Sequence, residues 1–427
     1  MKKTMSIERE NMPDLLASSA PRTRAMTDQE VRAVLKEALA KVDLAGRRVL
    51  VVVPDSTRTA PVALQFKLLN ELLADAAAVD YLVALGTHMP MNDAALGKLL
   101  GAAVADGRAG GHRVFNHQWN KPETFVQLGT ITAAEVAKFS NGMLSLDVPV
   151  RVNRLAMEYD QILVCGPVFP HEVVGFSGGN KYFFPGIAGA EMINVTHWMG
   201  ALLTSMATIG TSDTPMRRMI DHAASLIPTP KLNIASVMHG RDLVGLFVGT
   251  MTGAWKAAVE LSGALDIVYV PRPFKRVLAV MPELYDDLWT GAKGMYKTEP
   301  AVADGGEVII FAPHITEVSY AHGHILDEIG YHVRDYFLAQ WDAFKKYPWG
   351  VLAHSTHVRG GGTFVGGVEK PRINVTLATS IPAERCRKIG LGYLDPATVK
   401  PEEWKGREAE GVLYVPRAGE MLYRVKA

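Results

Sequence analysis

The chain has 427 residues, 48% hydrophobic and 21% charged, with 45 Lys and Arg against 44 Asp and Glu and a formal net charge of +1. That is the composition of a globular protein, long enough for two substantial domains at roughly 150 residues or more each. The balanced charge gives neither nucleic acid nor an anionic membrane a reason to bind, so a small molecule is the expected partner.

In the N-terminal MKKTMSIERENMPDLL, two lysines are followed by Glu8, Arg9 and Glu10 rather than an apolar stretch, which is unlike a signal peptide. The pattern from Thr27 to Lys41 predicts an amphipathic helix. Strands are expected at Arg48–Val53, Val79–Leu85, Gln161–Cys165, Ile267–Val270, Arg276–Val280 and Glu307–Phe311, alternating with helical patterns as in parallel sheets with crossover helices. Segment 106–150 lacks clean periodicity and is expected to form an insertion or lid. Pro185–Gly210 is the least polar long stretch, but Glu191, Asn194 and His197 make it unfit to span a bilayer. The proline-rich basic PRPFKR, 271–276, marks a domain boundary. The expected fold is therefore α/β: an N-terminal domain over 1–270, a C-terminal domain over 275–427, parallel-type sheets in both, and an active-site crevice between them. The cluster Gly360-Gly361-Gly362 with Gly366-Gly367 reads as a hairpin turn. Cys165 and Cys386 are too few for a disulfide framework or a cysteine-rich metal site, which fits a reducing cytoplasm.

The segments just after the strands carry the chemistry. Asp55-Ser56-Thr57-Arg58 comes after the first, Gly86-Thr87-His88 after the second and Pro167 through His171 after the third, while later strands lead towards Lys293 and His314. Open α/β sheets bind ligands at the carboxyl ends of their strands, so these ends outline one crevice.

The densest segment runs from His171-Glu172 through Gly175-Phe176-Ser177-Gly178-Gly179-Asn180-Lys181 to His197. A phosphate-binding P-loop requires Gly before the lysine and Ser or Thr after it, where this chain has Asn180 and Tyr182. A helical zinc motif requires a second histidine four after His171, where Gly175 stands. What remains is a glycine turn that brings backbone close to a ligand and presents one lysine, or a plain structural turn. Asp55 through Arg58 offers a hydroxyl and a guanidinium to a phosphate or carboxylate, or else an N-cap with a surface ion pair. His88 is alone in its loop, where a histidine is usually solvated. His314, His322, His324, His354 and His357 lack a full ligand set, and surface or packing roles are expected for them.

Taken together, the segments resemble the nickel-dependent lactate racemase family. Asp55-Ser56-Thr57-Arg58 is similar to its Asp-x-Thr-Arg element and Gly86-Thr87-His88 to its Gly-x-His element. His171 through Lys181 is similar to its His, Gly-Phe-Ser-Gly-Gly and Lys block, with the downstream histidine at His197. The resemblance implies a nickel-pincer nucleotide, pyridinium-3,5-bisthiocarboxylic acid mononucleotide, linked as a thioamide to Lys181, with His197 the one protein ligand to nickel. It implies acid/base roles for His88 and His171 on opposite faces of a 2-hydroxy acid, and makes Arg58 and Lys293 holders of the substrate carboxylate or neighbouring cofactor groups. Asp55, Thr57, Gly178 and Gly179 would belong to the cofactor pocket, and Thr290 and Trp341 to the substrate pocket. Cofactor-maturation enzymes would be partners.

The activity so implied is racemisation or epimerisation at Cα by hydride transfer out and back, which avoids a difficult carbanion. Thr290 stands where lactate-active members commonly have Gln, and Met89 comes after His88 where Arg is common, so the expected substrate is lactate or a related 2-hydroxy acid, larger or differently polar ones included. The alternatives are a metal-dependent hydrolase using the C-terminal histidines and a non-catalytic nucleotide- or acid-binding homologue.

Overall fold

The computed structural model describes residues 13–426; most of the N-terminal MKKTMSIERENMPDLL, with its expected lack of signal-peptide character, lies outside the described residues. Eight strands form the first sheet: β1 Leu15–Ser19, β2 Arg48–Val53, β3 Ala78–Val83, β4 Arg108–Ala109, β5 His112–Asn116, β6 Gln161–Pro167, β7 Lys231–His239 and β8 Asp242–Gly249. Their order is β1-β8-β7-β6-β2-β3-β5-β4. The run β7-β6-β2-β3-β5 is parallel, with antiparallel pairings only towards the edges. Val49 to Val53 and Ile162 to Cys165 are buried, as continuous apolar strands covered on both faces must be.

The chain proceeds from β2 outward to β3 and β5, then returns to β6 on the other side of β2. The reversal makes the carboxyl ends of β2 and β6 a topological switch point, where such sheets open a crevice.

A second sheet contains β9 Phe274–Val280, β10 Val302–Ala312, β11 Asn374–Thr379, β12 Gly392–Tyr393 and β13 Val412–Val415, in the order β12-β11-β10-β9-β13 and parallel throughout. Ile267–Val270, expected as a strand, pairs in parallel with Leu422–Val425 near the C-terminus. The helix expected from Thr27 runs Asp28–Leu39, with Thr27 and Glu30 forming a reciprocal capping box. Gly366-Gly367, both at positive φ, turn the hairpin Gly362–Val365/Val368–Pro371.

Segment 106–150 is no lid. It supplies β4, β5 and a hairpin, Phe125–Ile131 with Val148–Asn153, whose Ile131, Val148, Val150 and Val152 join the apolar cluster of Leu50 and Val52. Pro185–Gly210 contains the helix Ala190–Leu203, mostly buried and packed against the helix Trp349–Arg359. Among the described residues no helix is long and apolar enough to cross a membrane.

Candidate functional site

A cavity opens at the switch point and holds about 1060 Å³ of atom-free space, part of it continuous with solvent. From the first sheet it is lined by Asp55 and Arg58 after β2, His88 after β3, His171, Gly178 and Lys181 after β6, and His197 on the helix Ala190–Leu203. From beyond β9 come Trp289, Thr290, Lys293 and Tyr296, with His354 and His357 from the helix Trp349–Arg359. Both parts of the chain therefore close on one crevice.

Asp55 is buried and accepts from the Thr57 N–H at 3.1 Å and the Thr57 hydroxyl at 2.6 Å, while its other oxygen lies 2.5 Å from His88 Nδ1. Burial alone would raise the Asp55 carboxyl, but His88, Arg58 and Thr57 outweigh it and hold it well below the usual carboxylate range. An ionised carboxylate at that distance accepts the His88 Nδ1–H, which in the neutral ring leaves a lone pair on Nε2. The loop is fixed from behind, where Trp119 Nε1 donates to the His88 carbonyl at 2.9 Å.

The glycine turn is built around a clamp. Arg217 donates to the carbonyls of Gly178, at 3.1 Å, and Phe176, while the Ser177 hydroxyl donates to the Pro167 carbonyl at 2.9 Å, tying the turn to the end of β6. Gly178 has φ +78°, and a Cβ there would lie 2.6 Å from Val168 Cγ2, so only glycine fits.

Lys181 emerges from this turn into the crevice, and among the described residues nothing hydrogen-bonds its ammonium. Burial and then the Arg58 charge bring its pKa down to about 7, so a nucleophilic free amine is populated near neutrality. His197 donates Nδ1–H to the Ile193 carbonyl at 2.7 Å. Burial, and then Lys181, lower its pKa to about 4. It is thus a neutral imidazole with its tautomer fixed and Nε2 free, the form that binds a metal.

Lys293 sits 4.8 Å over the Tyr285 ring, and burial and then Arg58 lower its pKa to about 7. Arg58 donates to the Thr57 hydroxyl at 2.7 Å. Neither cation has an ion-pair partner within 4 Å among the described residues, which leaves both available to an anionic ligand. His171 is kept neutral by burial and by Lys181, Arg58, His197 and Lys293 around it.

Of the residues expected at the site, Asp55, Arg58, His88, His171, Gly178, Lys181, His197, Thr290 and Lys293 converge on the crevice. Trp341 does not: its ring stacks on Trp198 at 5.2 Å, within the apolar packing of the second part of the chain. Gly179 also stays off the wall, backed against Trp255, and Thr57 faces a small neighbouring pocket and reaches the site only through Asp55 and Arg58. The surface or packing roles expected of the C-terminal histidines hold poorly for His354 and His357, which line the crevice. His354 stacks on Trp289 with ring centroids 4.0 Å apart. Their spacing of three on a helix, which puts both on one face, was the available signal. Glu172, Trp289 and Tyr296 are further crevice residues that no local motif singles out. A catalytic zinc site usually needs three protein ligands, and among the described residues no three His, Cys, Asp or Glu side chains are grouped to hold a metal ion.

Residues 1–210 match the family described as the lactate racemase N-terminal domain. The chain is 25% identical over 288 residues to a lactate racemase of Thermoanaerobacterium thermosaccharolyticum, covering 65% of this chain and 61% of that protein's length. A crystal structure of a Thermotoga maritima protein is 33% identical, with a TM-score of 0.87, over 96% of this chain and all of the other. The lactate racemase apoprotein of T. thermosaccharolyticum shares the fold, with a TM-score of 0.67 at 18% identity over 95% of this chain and 91% of that one. With the Asp-x-Thr-Arg, Gly-x-His and glycine-lysine elements gathered in one crevice of that fold, residues 1–210 belong to the lactate racemase N-terminal domain family, and the chain as a whole has the fold of a lactate racemase.

Proposed function

We infer that the protein inverts the Cα configuration of a 2-hydroxy acid, as a racemase or epimerase, using a nickel-pincer nucleotide attached to Lys181. The observation that carries this is the presence, in one crevice, of a partly buried lysine amine that nothing among the described residues hydrogen-bonds and a histidine whose Nδ1 is tied to backbone, alongside two further histidines and two cations without ion-pair partners. Lys181 and His197 suit the donor set the cofactor needs, one amine for the thioamide and one neutral imidazole for nickel. When bound, the cofactor supplies a hydride acceptor and donor.

The chain's own residues do the rest. Arg58 and Lys293 hold the substrate carboxylate and so fix which bond of Cα faces inward. His88, oriented by Asp55, takes the hydroxyl proton at Nε2 in one configuration, and His171 serves the hydroxyl in the other. Two bases are required because inversion moves the hydroxyl to the opposite side of the carboxylate plane. Trp289, Thr290 and His354 line the crevice as well, and Thr290 in place of the family's usual Gln is compatible with an acid larger than lactate. In this reading residues 1–270 form the cofactor-binding and catalytic domain, and 275–427 form the C-terminal α/β domain, which contributes Lys293 to the crevice. Cofactor-maturation enzymes are the expected partners, and the cytoplasm the expected compartment.

The test is the intact mass and nickel content of protein co-produced with pincer-maturation enzymes. A covalent adduct with one nickel per chain supports the reading; zinc without an adduct, or no adduct at all, sinks it.

A further inference from the structure

His171 meets two partners at a single nitrogen. The Val173 backbone N–H donates to Nδ1 at 3.1 Å, and Oε2 of Glu172 lies 3.4 Å from the same atom. A nitrogen that accepts the Val173 N–H carries no proton, so in the neutral ring the proton is on Nε2. The Glu172 oxygen then faces a lone pair, and Oε2 is one of the buried side-chain atoms that find no hydrogen-bond partner among the described residues. Such an orphan is costly and calls for a physical reason. Burial would raise the Glu172 carboxyl, but Lys293, His357 and Lys181 keep it ionised.

The resting Nε2–H form also suits proton exchange badly. It has no lone pair at Nε2 with which to take a substrate proton, and releasing its own would leave an imidazolate. Both obstacles disappear when the Val173 N–H lets go of Nδ1, at the cost of that hydrogen bond, and that atom carries a proton donated to Glu172: the ring then alternates between imidazolium and a neutral form with a free Nε2. His88 has this arrangement already, with Asp55 at its Nδ1.

We propose that Glu172 is the positioning carboxylate of His171, accepting its Nδ1–H so that Nε2 can take and return the substrate proton, as Asp55 does for His88. The proposal rests on the reading of His171 as an acid/base group. In the passage that His171 opens, the proton taken at Nε2 comes from the substrate hydroxyl, His88 gives its Nε2 proton to the oxygen of the rotated 2-oxo acid, and the reverse passage restores both rings; the Nδ1 proton stays between the ring and Glu172, so the balance closes without another reactant. The groups around the ring, Lys181, Arg58, His197 and Lys293, all oppose an imidazolium, which leaves Glu172 as the anion beside it.

Glu172→Gln keeps the shape and removes the charge, and its amide can donate to Nδ1 and lock the resting tautomer. The loaded variant should retain the Lys181 adduct and nickel, lose about 10–100-fold in kcat with KM within about twofold, and regain part of the loss as Glu172→Asp. In the full chain without cofactor, long-range ¹H–¹⁵N spectra should show His171 Nδ1 becoming protonated about one pH unit lower in Glu172→Gln than in the wild type, with Glu172→Asp close to the wild type. A merely structural role for Glu172 would not move that titration. Unchanged kcat and titration in Glu172→Gln, with His171→Ala inactive, overturn the proposal and leave the acid/base reading standing. A His171→Ala enzyme with wild-type turnover overturns both. If Gln at 172 prevents folding, Glu172→Asp decides: wild-type titration with retained turnover supports the proposal, and the loss of both while the fold survives contradicts it.

Discussion

Replacing Asp55 by Asn tests whether His88 is a base set by its neighbour. The wild-type carboxylate accepts from the Thr57 N–H and hydroxyl through one oxygen and from His88 Nδ1 through the other, at 2.5 Å. Asn keeps one oxygen, which the two Thr57 donors will claim. Its amide then faces Nδ1 as a donor, and His88 must answer as an acceptor with its proton on Nε2. To act as base the ring has to return to the other tautomer, sacrificing a charge-assisted hydrogen bond of about 1.5–3 kcal/mol and setting two donors against each other for about 1–3 kcal/mol more. The sum, about 2.5–6 kcal/mol, corresponds at about 1.4 kcal/mol per decade to a fall of roughly 10²–10⁴ in turnover. The fall should be in kcat, because Arg58 and Lys293 still hold the carboxylate. The assay is chiral chromatography of the 2-hydroxy acid the loaded enzyme turns over fastest, with adduct mass and nickel checked in the same preparation. An Asp55→Asn enzyme that is fully loaded and within threefold of wild type would refute the argument and return His88 to a bystander in its loop.

The same geometry sets three further outcomes. Lys181→Ala should abolish covalent cofactor retention, read by intact mass, since no other lysine emerges from the glycine turn; an adduct mapped to another residue moves the attachment point. Lys293 has a pKa lowered to about 7, so it is cationic below that pH and neutral above it. The kcat/KM for a carboxylate substrate should therefore decline as pH rises through about 7, and Lys293→Arg, which stays charged, should remove that limb. Gly175→Ala puts a Cβ at φ +82°, where it would meet the Thr211 carbonyl oxygen at 1.7 Å. Strain and overpacking together should cost about 2–4 kcal/mol in a denaturant titration and disturb the short hairpin that carries His171.

The parts of the site that come directly after strands were legible in the sequence because a parallel sheet ties chemistry to strand ends. Val49–Val53 and Ile162–Cys165 announce buried strands, and the residues next in the chain must lie at their carboxyl ends, which is where Asp55, Arg58 and His171 come to line the crevice. The glycine turn was legible for a similar reason, since Gly178 stands where a side chain cannot. Trp341 lies away from the crevice wall because it stacks on Trp198, 143 positions away in the chain, a contact that no local pattern encodes. His354 and His357 were undervalued for the same reason. They enter the crevice only because the helix Trp349–Arg359 packs on the helix Ala190–Leu203, with Asn194 Oδ1 accepting from the Gly350 N–H at 3.0 Å. Segment 106–150 looked irregular because its strands are short and its hairpin carries a bulge between Gln127 and Gly129, which breaks strict alternation.

The central claim is inversion of Cα by hydride transfer within this crevice, and its most direct test uses a single enantiomer of a 2-hydroxy acid carrying deuterium at Cα. The loaded enzyme is incubated with it in ordinary water, and the product of opposite configuration is isolated and weighed by mass spectrometry. Hydride transfer out and back predicts that the inverted acid keeps its deuterium. An inverted product that has exchanged deuterium for solvent hydrogen would mean that Cα loses a proton instead, and would contradict the account.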